Sequence, residues 1–330
     1  MAMTREDIQA DMKAQYASGQ VVNQMTAVVV NGLRGKEYRV PEPQELKAAE
    51  EAACCVEEIF KDMPFGMPQE IIHLDAKGST WCVLYGLDTF NKLFTPRQLL
   101  ALGTFVKYTR AARDAMRVEG YPPDWVEALS AYLTCVITKL ADYNSTLAKW
   151  QTTGDKAGNT FVRWALPITW DFAENNPCES DSGGYAGLLN WVSKPVGEAL
   201  LQATRGTLTP KTLSESTIRL SIERAFDAIV TDPPYYDAIP YSNTMDFFYV
   251  WLRRSLHGLS PEIDLAFTEL QGPKWDNDGN DGELVDDANR FGGDAEKARH
   301  AYEEGMFRAF YACHNALTPE GRMVVVFANK

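Results

Sequence analysis

Hydrophobic and polar positions along this chain follow two periods, and the points where one gives way to the other mark its elements. Two short stretches at residues 26–30 and 36–40 read as strands across a turn between Gly32 and Gly35, which predicts a hairpin, and residues 1–20 before it read as the tail of a helix. Pro41 and Pro43 open a charged helix over residues 44–61, which stops before the proline- and glycine-rich 63–68. Thr95 is a candidate N-cap with Pro96 at the first helical position, and Leu99, Leu100, Phe105, Val106 and Tyr108 supply an apolar face. A second helix over 124–141 repeats Val126, Leu129, Leu133, Val136, Ile137 and Leu140 at spacings of three and four. Polar 152–159, aromatic-rich 161–172 and loop-like 175–184 follow, before 187–201 resumes helical spacing and 203–216 loses it.

The last third changes character. Residues 226–232, FDAIVTD, are a short apolar run closed by Pro233 and Pro234, which cannot donate to a sheet ladder, so they predict a buried strand ending at Asp232. Residues 245–256, MDFFYVWLRRSL, predict an apolar helix. Residues 295–317 are amphipathic, with Tyr302, Met306, Ala309, Phe310, Cys313 and Leu317 on one face, and 318–321 turn them into a strand at 323–327. That helix and strand are the expected parallel neighbour of the Asp232 strand. The acidic, glycine-rich 272–294 reads as a mobile loop and a candidate to order over substrate. The pattern divides the chain into a small mixed α/β connecting module at 1–90, a helical domain at 91–205 and a sheet-bearing region at 206–330.

Composition narrows the partners more than the fold. A length of 330 residues suits two or three domains, and no run of eighteen apolar residues or basic-then-apolar leader appears, so a cytoplasmic protein with no membrane partner is expected. The six cysteines form no C-x-x-C pair and have no histidine at ligand spacing; no metal site is expected, and Cys54 and Cys55 read as buried thiols. The net charge of -13 matters most, because holding a polyanion requires Lys and Arg to displace its counterions. Alone, the chain is expected to bind DNA poorly. Arg97, Lys107, Arg110 and Arg113, and the pair Arg253 and Arg254, read as solvated helix faces, and His300 and His314 as surface or core-edge histidines.

Chemistry concentrates at Asp232, Pro233, Pro234 and Tyr235. Ligands of open α/β sheets bind beyond the carboxyl ends of strands, where this turn lies. An exocyclic amino nitrogen on a base is a poor nucleophile because its lone pair is delocalised into the ring. The Asp232 carboxylate and Pro233 carbonyl, aimed at the amino hydrogens, would stabilise the tetrahedral, positively charged nitrogen of methyl transfer. The prolines pre-place these acceptors, and Tyr235 offers a face to a base taken out of the duplex, worth roughly 1–3 kcal/mol. The plainer alternative is a proline-stiffened turn after a core strand.

The sequel Tyr236, Asp237, Ala238, Ile239, Pro240, Tyr241, Ser242 extends the pattern. DPPYYDAIPYSN followed by DFFYVWLRRSL resembles the adenine-specific DNA methylases whose longer chains join an N-terminal module, a zinc ribbon and a split methyltransferase core. LFTPRQLLAL (93–102), LADYNSTLAKW (140–150), ALPITWDFAENNP (165–177) and MVVVFANK (323–330) resemble the same family. The resemblance implies an incomplete Rossmann-like methyltransferase core at 206–330, a parallel sheet with helices plus a helical insertion layer, acting with S-adenosyl-L-methionine on DNA. It assigns the target-amine motif to Asp232, Pro233, Pro234 and Tyr235, with Tyr236, Tyr241 and Ser242 as substrate contacts. Asn144 and Ser145 fall in a shared stretch as a helix cap, a polar core contact or a substrate contact.

The glycine-rich loop that such enzymes place after their first strand is missing. DSGGYAG at 181–187 is the nearest cluster, but it follows a polar loop rather than a strand. The expectation is a downstream part of a longer or split protein, with an upstream cofactor-binding segment in cis or in trans and weak or no binding of the cofactor by this chain alone. The alternatives are an amino-methyltransferase acting on RNA, cytosine N4 or a protein amide, and a non-catalytic subunit of a nucleic-acid-processing or phage-defence assembly.

Overall fold

The computed structural model describes residues 3–19, 23–74, 80–161, 164–180, 183–203, 210–213, 215–236, 239–272 and 274–326. The chain is mixed α/β and divides into two compact units, one of Met1–Leu74, Thr80–Arg205 and Asp246–Gln271, the other of Asp75–Ser79, Gly206–Met245 and Gly272–Lys330. Among the described residues no helix is long and apolar enough to cross a membrane.

The first unit is helical. Helix α1 (Arg5–Ser18) starts on a reciprocal Thr4–Asp7 capping box and ends at Gly19 in the left-handed region. Strands β1 (Val28–Gly32) and β2 (Gly35–Arg39) form the expected hairpin. Helix α2 (Pro43–Phe60) buries Ala52, Val56 and Phe60, a stripe at spacing four. Cys54 and Cys55 lie off that stripe and are exposed, which corrects their expected burial. Helix α3 (Pro96–Val118) carries the Thr95–Gln98 capping box and buries Leu99, Leu102 and Val106; Tyr108, expected on this face, is 66% exposed. Helix α4 (Pro123–Tyr143) leads to a short hairpin, β3 (Trp150–Gln151) with β4 (Lys156–Ala157), and then to α5 (Tyr185–Ala203). Helices α2 and α3, α3 and α4, and α4 and α5 pack in pairs.

Helix α6 (Tyr241–Leu256) contributes to this unit from Asp246 onward, and α7 (Pro261–Leu265) follows it. One hydrophobic core holds Phe60, Leu93, Leu102, Ile137, Phe247 and Trp251. The segments 1–90 and 91–205, read from the sequence as separate modules, thus share a single core. Asn144 and Ser145 serve it as cap and polar core groups: the Asn144 amide donates to the Leu140 carbonyl at 3.1 Å, and the Ser145 and Thr160 hydroxyls bond at 2.7 Å.

The arginines of α6 and α3 correct another expectation. Arg253 and Arg254 are not a solvated face; their side chains are 3% and 1% exposed and both reach Glu70, at 3.3 and 2.8 Å. Arg254 also donates to the carbonyls of Phe65, Gly66 and Met67. It thereby closes the turn in which Phe65 and Gly66 both take positive φ. Arg110 and Arg113 donate to the carbonyl of His257 at the end of α6, and Arg97 holds Glu174 bidentately. Only Lys107 of that group stays exposed. A helix's arginines read as solvated because charge is usually outside, yet uncapped carbonyl ends and the buried Glu70 carboxylate drew these inward.

The second unit carries the sheet. Strand β5 (Phe226–Thr231) runs parallel to β8 (Leu317–Val325), with Ile229 opposite Met323 and Val230 opposite Val324. Helix α8 (Ala295–Ala316) precedes β8, so helix, then parallel strand, holds as expected, although β8 starts six residues earlier. Residue 327, the expected strand end, lies outside the described residues. The burial expected of β5 does not hold: Phe226 is 42% and Val230 73% exposed. An apolar run predicts a strand covered on both faces, and here only two strands are paired among the described residues.

The acidic 272–294 is not a loose loop. It contains the hairpin β6 (Trp275–Asp276) with β7 (Asp281–Gly282) and a 3-10 turn at Ala288–Phe291. Asp281 accepts from the Ser216 hydroxyl at 2.7 Å and pairs with Arg219, while Leu284 occupies the space a side chain at Gly305 of α8 would need. Several of the acidic residues that suggested solvent, Asp281, Glu283 and Asp287 among them, instead serve as caps and acceptors.

Candidate active site

All of the candidate residues from Asp232 to Ser242 belong to the second unit. Strand β5 ends at Thr231, and Asp232, Pro233 and Pro234 follow without regular structure, as two residues lacking an N–H must. Asp232 is exposed. The Tyr235 hydroxyl donates to its Oδ1 at 2.8 Å, and among the described residues no donor reaches Oδ2. One carboxylate oxygen is therefore committed within the turn and the other is available to an outside donor. That bond, first, and partial burial, second, push the Tyr235 phenol above its ordinary pKa, so the hydroxyl stays a donor at neutral pH.

A group that the sequence did not single out for function fixes the turn. Tyr302 of α8, 7% exposed, donates its hydroxyl to the Pro234 carbonyl at 2.7 Å. Burial raises its phenol, keeping the donor protonated. The Tyr236 ring meets Tyr302 edge-on at 5.0 Å between centroids, its hydroxyl reaches Glu303 at 3.4 Å, and the Arg299 guanidinium lies 5.9 Å from its ring. The turn is thus clamped through Pro234, while the Pro233 carbonyl, the second proposed amine acceptor, has no hydrogen-bond donor among the described residues. The spacing of Tyr302 on its helix signalled an apolar position only; its hydroxyl was the unused clue, since a buried phenol needs a partner.

Residues 237 and 238 lie outside the described residues, and α6 begins at Tyr241. Tyr241 is 48% exposed. Ser242 is engaged otherwise than a substrate contact would be: its N–H and hydroxyl donate to Glu283 at 3.0 and 2.6 Å, and Arg290 reaches Ser242 at 3.2 Å, Asn243 at 3.3 Å and Glu283 at 2.5 Å. Glu283 caps the α6 N-terminus, where a carboxylate meets unpaired N–H groups and the positive end of the helix dipole. The cap comes from forty-one residues downstream, so no local capping signal could announce it. The structure therefore brings together Asp232, Pro234, Tyr235 and Tyr236 with Tyr302, and commits Ser242 to a helix cap. His300 and His314 are exposed on α8.

Among the described residues, the glycine cluster nearest to a cofactor loop packs against side chains and backbone of its own segment. Of the cluster at 181–187, residues 181 and 182 lie outside the described residues. A side chain at Gly184 would collide with the Glu179 carbonyl, and one at Gly183 with Asn175. These glycines allow close packing at the start of α5, and among the described residues no strand leads into them. Among the described residues no group of three His, Cys, Asp or Glu side chains is disposed to hold a metal ion. No family model, curated protein or solved structure matches this chain.

Proposed function

We propose that this chain supplies the target-amine half of an S-adenosylmethionine-dependent amino-methyltransferase acting on the N6 amino group of adenine in DNA. One observation carries the reading: an exposed carboxylate on a proline-stiffened turn at the carboxyl end of a parallel strand, with an aromatic ring three residues on. In this reading the Oδ2 of Asp232 and the Pro233 carbonyl accept the two amino hydrogens, turning the nitrogen lone pair out of conjugation. Tyr302 positions the turn through Pro234, so the acceptors need no reorganisation when the base arrives. Tyr235 and Tyr236 give the base aromatic contact. In this reading a second segment, in cis or in trans, holds the methyl donor. That segment also supplies the phosphate contacts which a chain of net charge -13 lacks.

The test is product analysis. The chain is co-expressed with a cofactor-binding segment in cells lacking adenine methylation, and DNA and RNA are digested to nucleosides. N6-methyladenine in DNA alone is the expected product. Methylated cytosine, methylated RNA, or no methylated nucleoside would overturn the assignment.

A further inference from the structure

The stretch that carries the candidate acceptors is held at two points, and both holds refer to one face of α8. Upstream, the Tyr302 hydroxyl donates to the Pro234 carbonyl at 2.7 Å. Downstream, the Glu283 carboxylate accepts the N–H and the hydroxyl of Ser242, the second residue of α6, at 3.0 and 2.6 Å. Arg290 fixes Glu283 in turn: its side chain is 9% exposed and its guanidinium bonds the Glu283 carboxylate at 2.5 Å and the Glu283 carbonyl at 3.0 Å. The same guanidinium reaches the Ser242 hydroxyl and the Asn243 side-chain oxygen, at 3.2 and 3.3 Å.

Leu284, next to Glu283, fills the space beside Gly305 of α8, where an added side chain would collide with it. Gly305 follows Tyr302 at helical spacing, so the two lie on the same face of α8. That face therefore sets Pro234 directly and Ser242 through the segment 283–290. The start of α6 also bears on the turn itself: the Tyr235 phenol is raised chiefly by its bond to Asp232, and the neighbouring Tyr241 phenol adds to the rise. Pro240, which precedes α6, has no side-chain acceptor, so a cap for this helix has to come from elsewhere. Stabilising α6 is one use of that cap. Fixing the second end of the Asp232 stretch is another, because a segment tied twice has less freedom than one tied once.

The geometry points to Glu283 and Arg290 as positioning residues for the candidate site: together with Tyr302 they hold the stretch from Asp232 to Tyr241 against α8, so that the Asp232 carboxylate and the Tyr235 ring are in place before a base arrives. The role rests on the proposed function, whereas the hold itself does not.

Two variants break the downstream hold by different routes. Glu283→Ala removes the acceptor, and Gly305→Leu keeps Glu283, Arg290 and Ser242 but takes the space of Leu284. In the full chain, amide hydrogen exchange is read over α6 and α8, and 3-fluorotyrosine placed at position 235 is read by its fluorine resonance at neutral pH. In both variants the amides of residues 242–245 exchange at least about tenfold faster, while those of α8 stay within about threefold of the parent and show that the chain is folded. The fluorine resonance moves toward that of free 3-fluorotyrosine. With the chain assembled on its cofactor-binding segment, both variants lower the single-turnover rate of methyl transfer at least about tenfold and change DNA affinity less than about threefold. Faster exchange at 242–245 with an unmoved fluorine resonance would make Glu283 a cap of α6 alone and overturn the inference. So would a parental rate in both variants where Asp232→Asn is slow. If Asp232→Asn itself keeps the parental rate, it is the proposed function that fails, and the fluorine resonance alone decides whether the hold exists.

Discussion

Removing the charge of Glu70 tests how far the helical unit depends on the buried carboxylate that Arg253 and Arg254 share. Glu70→Gln keeps the shape and one carbonyl oxygen but leaves the guanidinium groups of Arg253 and Arg254, 3.3 and 2.8 Å away and almost wholly buried, with no counter-charge. Burial lowers the Arg254 pKa, and the Glu70 carboxylate opposes that shift. Breaking a buried pair costs about 3–5 kcal/mol, roughly two to four powers of ten in the folding equilibrium. Two circumstances favour the lower half of that range. Arg254 keeps its bonds to the carbonyls of Phe65, Gly66, Met67 and Val250, and Arg253 lies 3.7 Å from the Phe65 ring centroid. Urea unfolding followed by tryptophan fluorescence is the assay, with Trp251 as a fully buried reporter of the same core. Adding Arg253→Met to the variant removes one uncompensated charge and should recover part of the loss. A cost below about 1 kcal/mol, or no recovery in the double variant, would refute the reasoning.

Three further outcomes follow from single groups. Thr95→Ala breaks the Thr95–Gln98 capping box of α3 at a residue 1% exposed, and should lower stability by about 1–2 kcal/mol in the same assay, with Thr95→Ser close to the parent. Tyr302→Phe leaves the Pro234 carbonyl without its donor; it should cost about 0.5–1.5 kcal/mol and speed amide exchange at Tyr235 and Tyr236, and unchanged exchange there would remove its positioning role. Burial pushes the Cys82 thiol from 9.0 up to about 12 and the Tyr16 phenol from 10.0 up to about 12. Both groups bind their protons more tightly when folded, so their stabilisation is complete below about pH 9 and is lost as pH rises toward 12. Urea midpoints should fall between pH 9 and 11, and at pH 8 iodoacetamide should label exposed Cys54 but spare native Cys82.

Much of the architecture was legible wherever the signal is local. Thr95 with Pro96 announced α3, the Gly32 to Gly35 turn announced its hairpin, and FDAIVTD before two prolines announced a strand, which stops at Thr231, one residue before the expected Asp232. What escaped depends on residues far apart in sequence. The burial of Arg253 and Arg254 needs Glu70 some 184 positions away, the cap on Ser242 needs Glu283, and the clamp on Pro234 needs Tyr302. The apolar composition of β5 signalled a strand, but composition could not tell that Phe226 and Val230 would be exposed. Likewise, the acidity of 272–294 suggested solvent because its uses, as acceptor for Ser216, partner for Arg219 and cap for α6, come from other segments.

The central claim is that the Asp232 carboxylate receives the target amine. Its most direct test is the single-turnover rate of methyl transfer to duplex DNA by the chain assembled with its cofactor-binding segment, comparing the parent with Asp232→Asn. Losing an acceptor aimed at developing charge costs about a hundred- to a thousandfold in rate, and the account predicts that loss with DNA affinity changed less than a few-fold. A rate within about threefold of the parent would contradict it, since Asn keeps the shape of the residue but lacks its charge and one of its two acceptor oxygens.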